Sequence, residues 1–405
     1  MKKLLLIVLG IAMILAAVSC TAKTPAAESS ETPDGTDTPT DEKPTEAPTE
    51  EPTKEYEDPS KPLTETVLNV ADHTTDVFRQ LGRTYVKDKV LNIDFACGGI
   101  HFAAYCEGDV RVQINSARDT RFTIYVDGVR SDLRPQVTTS NSGSYITIAS
   151  NLPRGEHDFR VISQTQFIWT YGSIGNVQVK GVFLDKPADR ELYLEFYGDS
   201  ILNGSNVMVA GGGINASDAT QAFGFVTAEL MNADMALIGC SSIGLTTNSR
   251  SFVMKDIWNY AGARYSAFST SKDEHLLTGI PEWDFARVPS AIIIEQGVND
   301  GSNASSAAFK NAVKEMVDNL RSKYGADVPI VFPVGYSKPT AAYNTALPKI
   351  IVELGGAGAN LYVCKLSDAA NTSVVPGGDG THPGVESTKK MAQELAAFLE
   401  TVIKK

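Results

Sequence analysis

LYLEFYGDSILNG, residues 192–204, joins an apolar run to a glycine and then to Asp199 and Ser200. An apolar run of this length without polar alternation predicts a strand buried on both faces, with Ser200 at its carboxyl end. Gly-Asp-Ser is also an ordinary turn triplet, so the surrounding pattern decides between the two readings. TQAFGFVTAELMNA, SSAAFKNAVKEMVDNLRSKY, AAYNTALPKIIVEL and GVESTKKMAQELAAFLETVIKK read as helices, and MALIGC, SAIIIEQG, VPIVFPVG and NLYVCKL as further buried strands. Strands alternating with helices over residues 190–405 predict an α/β/α domain with a mainly parallel sheet. Ligands in such folds gather at the carboxyl ends of the strands. Three such ends carry short polar residues: Ser200, then Ser241 and Ser242 after MALIGC, and Asn299 and Asp300 after SAIIIEQG.

Upstream the period changes. LNIDFACGGIHFAAYC, DVRVQINS, RFTIYVDG, SYITIAS and HDFRVISQ alternate with period two, and VDGVRSD and NLPRGEH read as turns between strands. Residues 63–185 are therefore expected to form an antiparallel β-sandwich or jelly roll. Its expected role is to shape one wall of a cleft against the α/β domain, with carbohydrate binding as the alternative.

The N-terminus has a separate logic. In MKKLLLIVLGIAMILAAVSC, residues 1–20, two lysines precede an apolar stretch and a small residue before Cys20. This is the anatomy of a secretory signal. The ending resembles a bacterial lipobox, which implies lipidation of Cys20, a membrane anchor and an extracytoplasmic location. Ala17 stands where leucine is usual in that motif. A plain signal peptide and an uncleaved anchor helix are the alternatives. Residues 21–62 are rich in Thr, Pro and Glu and nearly lack large apolar side chains. Such a segment cannot offset its ordering entropy by burial and is expected to be a disordered tether. It holds twelve acidic and four basic residues, so most of the net charge of −12 lies there. The folded remainder is only mildly acidic and has no basic cluster, which argues against nucleic acid as a partner.

Five cysteines (Cys20, Cys97, Cys106, Cys240 and Cys364) form no Cys-x-x-Cys pair or Cys/His cluster. Neither a zinc site nor any other cofactor is expected. Cys97 and Cys106 could bridge neighbouring strands or remain buried thiols, the latter being the preferred reading. A serine nucleophile needs a base and an orienting carboxylate. Of five histidines, only His382 in GGDGTHPGVEST falls between the last strand and the last helix, on the rim that holds Ser200. Asp379 precedes it by three residues, close enough for one loop to hold a carboxylate against the imidazole.

YGDSILNG, EQGVNDGS and DGTHPG together resemble three sequence blocks of the SGNH, or GDSL-type, hydrolases. The resemblance implies Ser200 as nucleophile, His382 as base and Asp379 as its partner. It also implies an oxyanion hole built from the Ser200 N–H, the Asn299 amide and a second-block N–H. In GCSSIGL that second-block position is Ser242, where the family carries glycine. A β-sandwich joined to such a domain is similar to carbohydrate esterase family two. That likeness implies removal of acetyl groups from a xylan- or glucomannan-type polysaccharide; the enzyme is expected to be a monomer, and the lipobox-like N-terminus puts it at the cell surface. Some members of that family place a tryptophan between the aspartate and the histidine, whereas this chain has Gly380 and Thr381. Trp258, Trp283 and Tyr260 are the other candidates for a sugar platform, with core packing preferred for Trp283. A lipid esterase or thioesterase, and a non-catalytic glycan-binding protein, are the competing functions.

Overall fold

The computed structural model describes residues 56, 58–169, 171–246, 251–264, 277–337, 340–367 and 381–403. The signal segment with Cys20, most of the expected tether, and Asp379 lie outside the described residues. Ordered chain begins before Leu63. The Arg154 guanidinium donates to the carbonyls of Tyr56, Asp58 and Lys61, and Tyr56 packs against Tyr105 at a centroid distance of 5.2 Å. No described helix is long and apolar enough to cross a membrane.

The N-terminal domain is antiparallel and, among the described residues, holds ten strands: β1 (Glu65–Asn69), β2 (Arg79–Leu81), β3 (Tyr85–Lys87), β4 (Val90–Ile93), β5 (Gly99–Ser116), β6 (Thr120–Val126), β7 (Val129–Arg130), β8 (Gln136–Val137), β9 (Tyr145–Ser163) and β10 (Gly172–Phe183). All pair in one hydrogen-bonded network whose main path runs β3-β4-β10-β5-β9-β6-β7. Its core is apolar and includes Phe78, Ile100, Phe102, Phe159 and Val161. Two expectations need correction. FAAYC and DVRVQINS are one strand, β5, and SYITIAS and HDFRVISQ are one strand, β9. The expected turn at NLPRGEH is absent. Gly108 (φ 79°) lies in β5 opposite Leu152, next to Asn151 (φ 56°), and the β5–β9 register shifts there. Bulges of this kind bend a strand pair without ending it, so turn-like residues here bend two continuous strands. His157, expected in a turn, sits in β9 within hydrogen-bond distance of Asp127 and the Pro153 carbonyl.

The second domain follows the expected alternation: β11 (Leu192–Gly198), α1 (Phe223–Leu230), β12 (Ala233–Gly239), β13 (Ala291–Glu295), α2 (Ala307–Tyr324), β14 (Ile330–Val334), α3 (Tyr343–Glu353), β15 (Leu361–Lys365) and α4 (Val385–Val402). Its five-stranded sheet is parallel throughout, in the order β12-β11-β13-β14-β15. β13 and β14 are wholly buried, in keeping with aliphatic-rich sequences that only Glu295, at the end of β13, interrupts. α2 starts where the Ser306 hydroxyl accepts the Phe309 N–H and ends at Gly325 (φ 82°). The chain leaves β11 toward β12 on one side and later returns to β13 on the other. This reversal opens a crevice at the carboxyl ends of β11 and β13.

The two domains are joined by buried charge. Arg83 of the β domain is fully buried, and its Nη2 donates to Glu195 Oε1 (3.1 Å) and the Tyr197 hydroxyl (2.7 Å), both on β11. Its Nη1 donates to the carbonyls of Trp258 (2.6 Å) and Tyr260 (3.2 Å). Arg79 forks onto Asp234, and Arg160 onto Glu229. Cys97, Cys106 and Cys364 are buried free thiols, and Cys240 is buried as well.

Candidate active site

Ser200 follows β11 in a tight turn and is 9% exposed. The turn is closed by backbone hydrogen bonds from Asn203 N–H to the Asp199 carbonyl (3.1 Å) and from Ser205 N–H to the Ser200 carbonyl (2.9 Å). Gly198 is needed just before it, because a Cβ there would stand 2.5 Å from Glu295 Oε2 and 2.6 Å from Leu202. The His382 loop leads into α4, which packs on α1. It places Nε2 of His382 2.8 Å from Ser200 Oγ. This is hydrogen-bond distance between a nucleophile and a base.

Two backbone donors face the same rim. Neither the Ser200 nor the Ser242 N–H is engaged among the described residues. Ser242 has φ 66°, the left-handed conformation that glycine adopts freely. Serine therefore keeps the backbone path of the second-block glycine at some strain, about 1 kcal/mol. The adjoining loop is pinned from the β domain. Gln166 Oε1 accepts the Ser241 N–H (2.6 Å), and its Nε2 donates to the Ser241 hydroxyl (2.8 Å). Asp300 holds the next turn by accepting the N–H groups of Leu245 (3.2 Å) and Thr246 (2.7 Å).

Asn299 lies beside Ser200, but its amide is already anchored. Nδ2 donates to Asp199 Oδ2 (2.8 Å) and to the Ile243 carbonyl (2.9 Å). Asp199 in turn accepts the Ile201 N–H (2.9 Å) and donates its own N–H to Glu295 Oε2 (2.8 Å). Glu295 is completely buried, and its Oε1 has no hydrogen-bond partner among the described residues. Burial raises the Asp199 carboxyl to about 7, against the Ile201 N–H that favours its ionised form. Burial first, then the nearby Asp199, pushes Glu295 well above the ordinary carboxylate range. The nucleophile turn thus rests on two buried acids.

Sequence reasoning placed Ser200, Ser242, Asn299 and His382 on one rim, and the structure brings them together there. Asp379 lies outside the described residues. Glu295, Gln166 and the anchoring role of Asp199 went unrecognised. Glu295 left one legible signal, a carboxylate ending a strand otherwise made of buried aliphatic residues. Of the sugar-platform candidates, Trp258 is 7% exposed and packs against Phe285, so it belongs to the core. Trp283 and Tyr260 are half-buried.

Residues 194–395 match the family model described as GDSL-like Lipase/Acylhydrolase. The α/β domain is a GDSL-like hydrolase domain. A search of curated proteins gave no match. Among solved structures, the chain is similar to a family two carbohydrate esterase from Clostridium thermocellum in complex with cellohexaose. That likeness has 22% identity and a TM-score of 0.67, over 80% of this chain and 98% of that one. A family two carbohydrate esterase from Cellvibrio japonicus gives 18% identity and a TM-score of 0.69, covering 84% of this chain and 98% of that one. An acetyl xylan esterase from the rumen bacterium Butyrivibrio proteoclasticus gives 18% identity and a TM-score of 0.70 at the same coverages. At these identities the likeness is one of fold, and it extends over both domains of the chain.

Proposed function

We propose that this protein is a serine esterase that removes acetyl groups from a neutral plant-type polysaccharide, outside the cytoplasmic membrane and anchored through Cys20. The observation that carries the reading is the 2.8 Å contact between His382 Nε2 and Ser200 Oγ at the carboxyl end of the parallel sheet. His382 takes the hydroxyl proton as Ser200 Oγ attacks the acetyl carbonyl. The imidazolium then returns that proton to the departing sugar hydroxyl. Water, deprotonated by the same imidazole, attacks the acyl-enzyme and releases acetate. Asp379 is assigned the orienting carboxylate. The Ser200 and Ser242 N–H groups receive the oxyanion. Asn299 joins them by exchanging one of its two present acceptors for the developing charge. A donor of this kind is worth about 10²–10³ in rate. The acetyl-polysaccharide substrate is supported by the shared two-domain fold, whose relatives include an acetyl xylan esterase and a cellohexaose complex.

The test is acetate release from acetylated xylan, acetylated glucomannan and an aryl acetate, with Ser200→Ala as control. Release from a polysaccharide that vanishes in Ser200→Ala is the expected result. Undiminished release in that variant would overturn the chemistry. A preference for octanoyl over acetyl esters would move the substrate to lipids. Binding of the glycan without turnover would leave a non-catalytic receptor.

A further inference from the structure

A cavity of about 460 Å³ lies at the amino ends of β11 and β12, between the domains. Gln80, Tyr85 and Val86 line it from the β domain, and Asp189, Trp283 and Asp284 from the hydrolase domain. Tyr193 of β11 also lines the cavity, and the strand from there to the Ser200 turn spans about 20 Å at the rise of a strand. The cavity is therefore separate from the active site. We propose that it is a second, non-catalytic binding site for neutral saccharide units of the polysaccharide. The inference rests on the glycan reading above.

The cavity wall offers the groups a saccharide uses. Asp284 is exposed; its Oδ1 accepts the Ala286 N–H (3.0 Å), and it makes no ion pair among the described residues. Asp189 is 64% exposed at the side chain and only 3.5 Å from Arg79. Gln80 is exposed, with Oε1 held by the Thr84 hydroxyl (3.0 Å) and its amide N–H groups unengaged among the described residues. These supply acceptors and donors for hydroxyl groups. Trp283 supplies half-buried aromatic surface for the apolar face of a sugar ring. The volume lies in the ordinary range of small-ligand sites, about 300–1,000 Å³.

Charge selects among ligands. The Arg83 guanidinium carbon lies 5.4 Å from the Trp283 ring centroid, and that of Arg287 lies 4.8 Å from Tyr193. The aromatic quadrupoles that would favour a cation are already engaged by arginine. An anionic sugar would meet Asp189 and Asp284. Asp234, at the back, is neutralised by Arg79 and Arg287, each at 2.7 Å. A neutral polyhydroxy ligand fits this arrangement. Holding the polymer at a second point raises its effective concentration at Ser200 without a new catalytic contact.

The test uses Ala286→Trp, which places a bulky ring in the cavity from an exposed position, and Asp284→Asn, which keeps the Ala286 hydrogen bond and removes the charge. Binding of a linear neutral xylohexaose is measured calorimetrically on Ser200→Ala protein, with and without each change. Ala286→Trp is expected to abolish one class of site, and Asp284→Asn to weaken it about tenfold, on the scale of a lost charged hydrogen-bond acceptor. In protein with Ser200 intact, both should leave aryl acetate turnover unchanged while raising KM on acetylated xylan. That turnover also reports correct folding. Unaltered xylohexaose binding in both variants would overturn the proposal, as would tetramethylammonium occupying the cavity in place of sugar. If no substrate releases acetate but binding still responds to Ala286→Trp, the esterase reading fails and this one stands.

Discussion

Glu295→Gln tests the buried acid pair beneath the nucleophile. Glutamine keeps an oxygen that accepts the Asp199 N–H, now 2.8 Å from Glu295 Oε2, but carries no titrating proton. In the native protein Glu295 sits well above its ordinary value of 4.5, because burial disfavours its charge and Asp199 adds a like one. The folded chain therefore binds a proton that the unfolded chain releases, and stability falls as pH rises. The contribution is complete below the unfolded value and is lost as pH climbs through the elevated native one. Each proton withheld costs up to about 1.4 kcal/mol for every pH unit between the unfolded value and the elevated native one. Asp199, raised to about 7 chiefly by burial, adds a similar decline in both proteins. Asp300 and His382 face Asp199, and Tyr336 and Tyr343 face Glu295. These groups are common to both proteins and largely cancel in the comparison. Urea midpoints across this range should give a markedly flatter curve for Glu295→Gln. Parallel curves would refute the reasoning. Glu295→Ala should lie about 1–3 kcal/mol below Glu295→Gln at every pH, because it leaves the Asp199 N–H buried and unpaired.

Asn299→Ala should lower kcat by about 10²-fold with a smaller change in KM, read by steady-state kinetics, since an oxyanion donor acts on developing charge. Some stability should be lost with it, because the same amide bridges Asp199 and Ile243. Ser242→Gly should keep activity and change stability by no more than about 1 kcal/mol in denaturant titrations, relief at φ 66° offsetting the flexibility of glycine. Gln166→Ala releases the Ser241 loop and should reduce kcat/KM on every ester alike, aryl acetate included. A loss confined to polysaccharide would assign Gln166 to substrate binding instead.

The α/β domain was legible because its strands are unbroken aliphatic runs and its helices amphipathic, so local pattern and tertiary burial agree. The candidate site followed, since short polar residues ended three neighbouring strands and His382 stood alone near the fourth position. What escaped was pairwise and distant. Gln166 meets Ser241 across 75 residues, and Arg83 meets Glu195 across 112. Neither side chain differs from a surface residue until its partner is known. The merging of runs into β5 and β9 escaped for another reason. Glycine and asparagine in left-handed geometry serve a bulge as well as a turn, and only the pairing partner distinguishes them.

Arg83 makes the hydrolase domain a poor candidate for excision. A chain cut down to residues 194–395 would begin inside β11 and keep Glu195 without its guanidinium. Removing one partner of a buried ion pair costs about 3–5 kcal/mol, a large share of the stability of an ordinary domain, about 5–15 kcal/mol. The two lobes should therefore melt in a single transition and be inherited as a pair. In this protein the unit that selection can shuffle is larger than the unit that carries the chemistry.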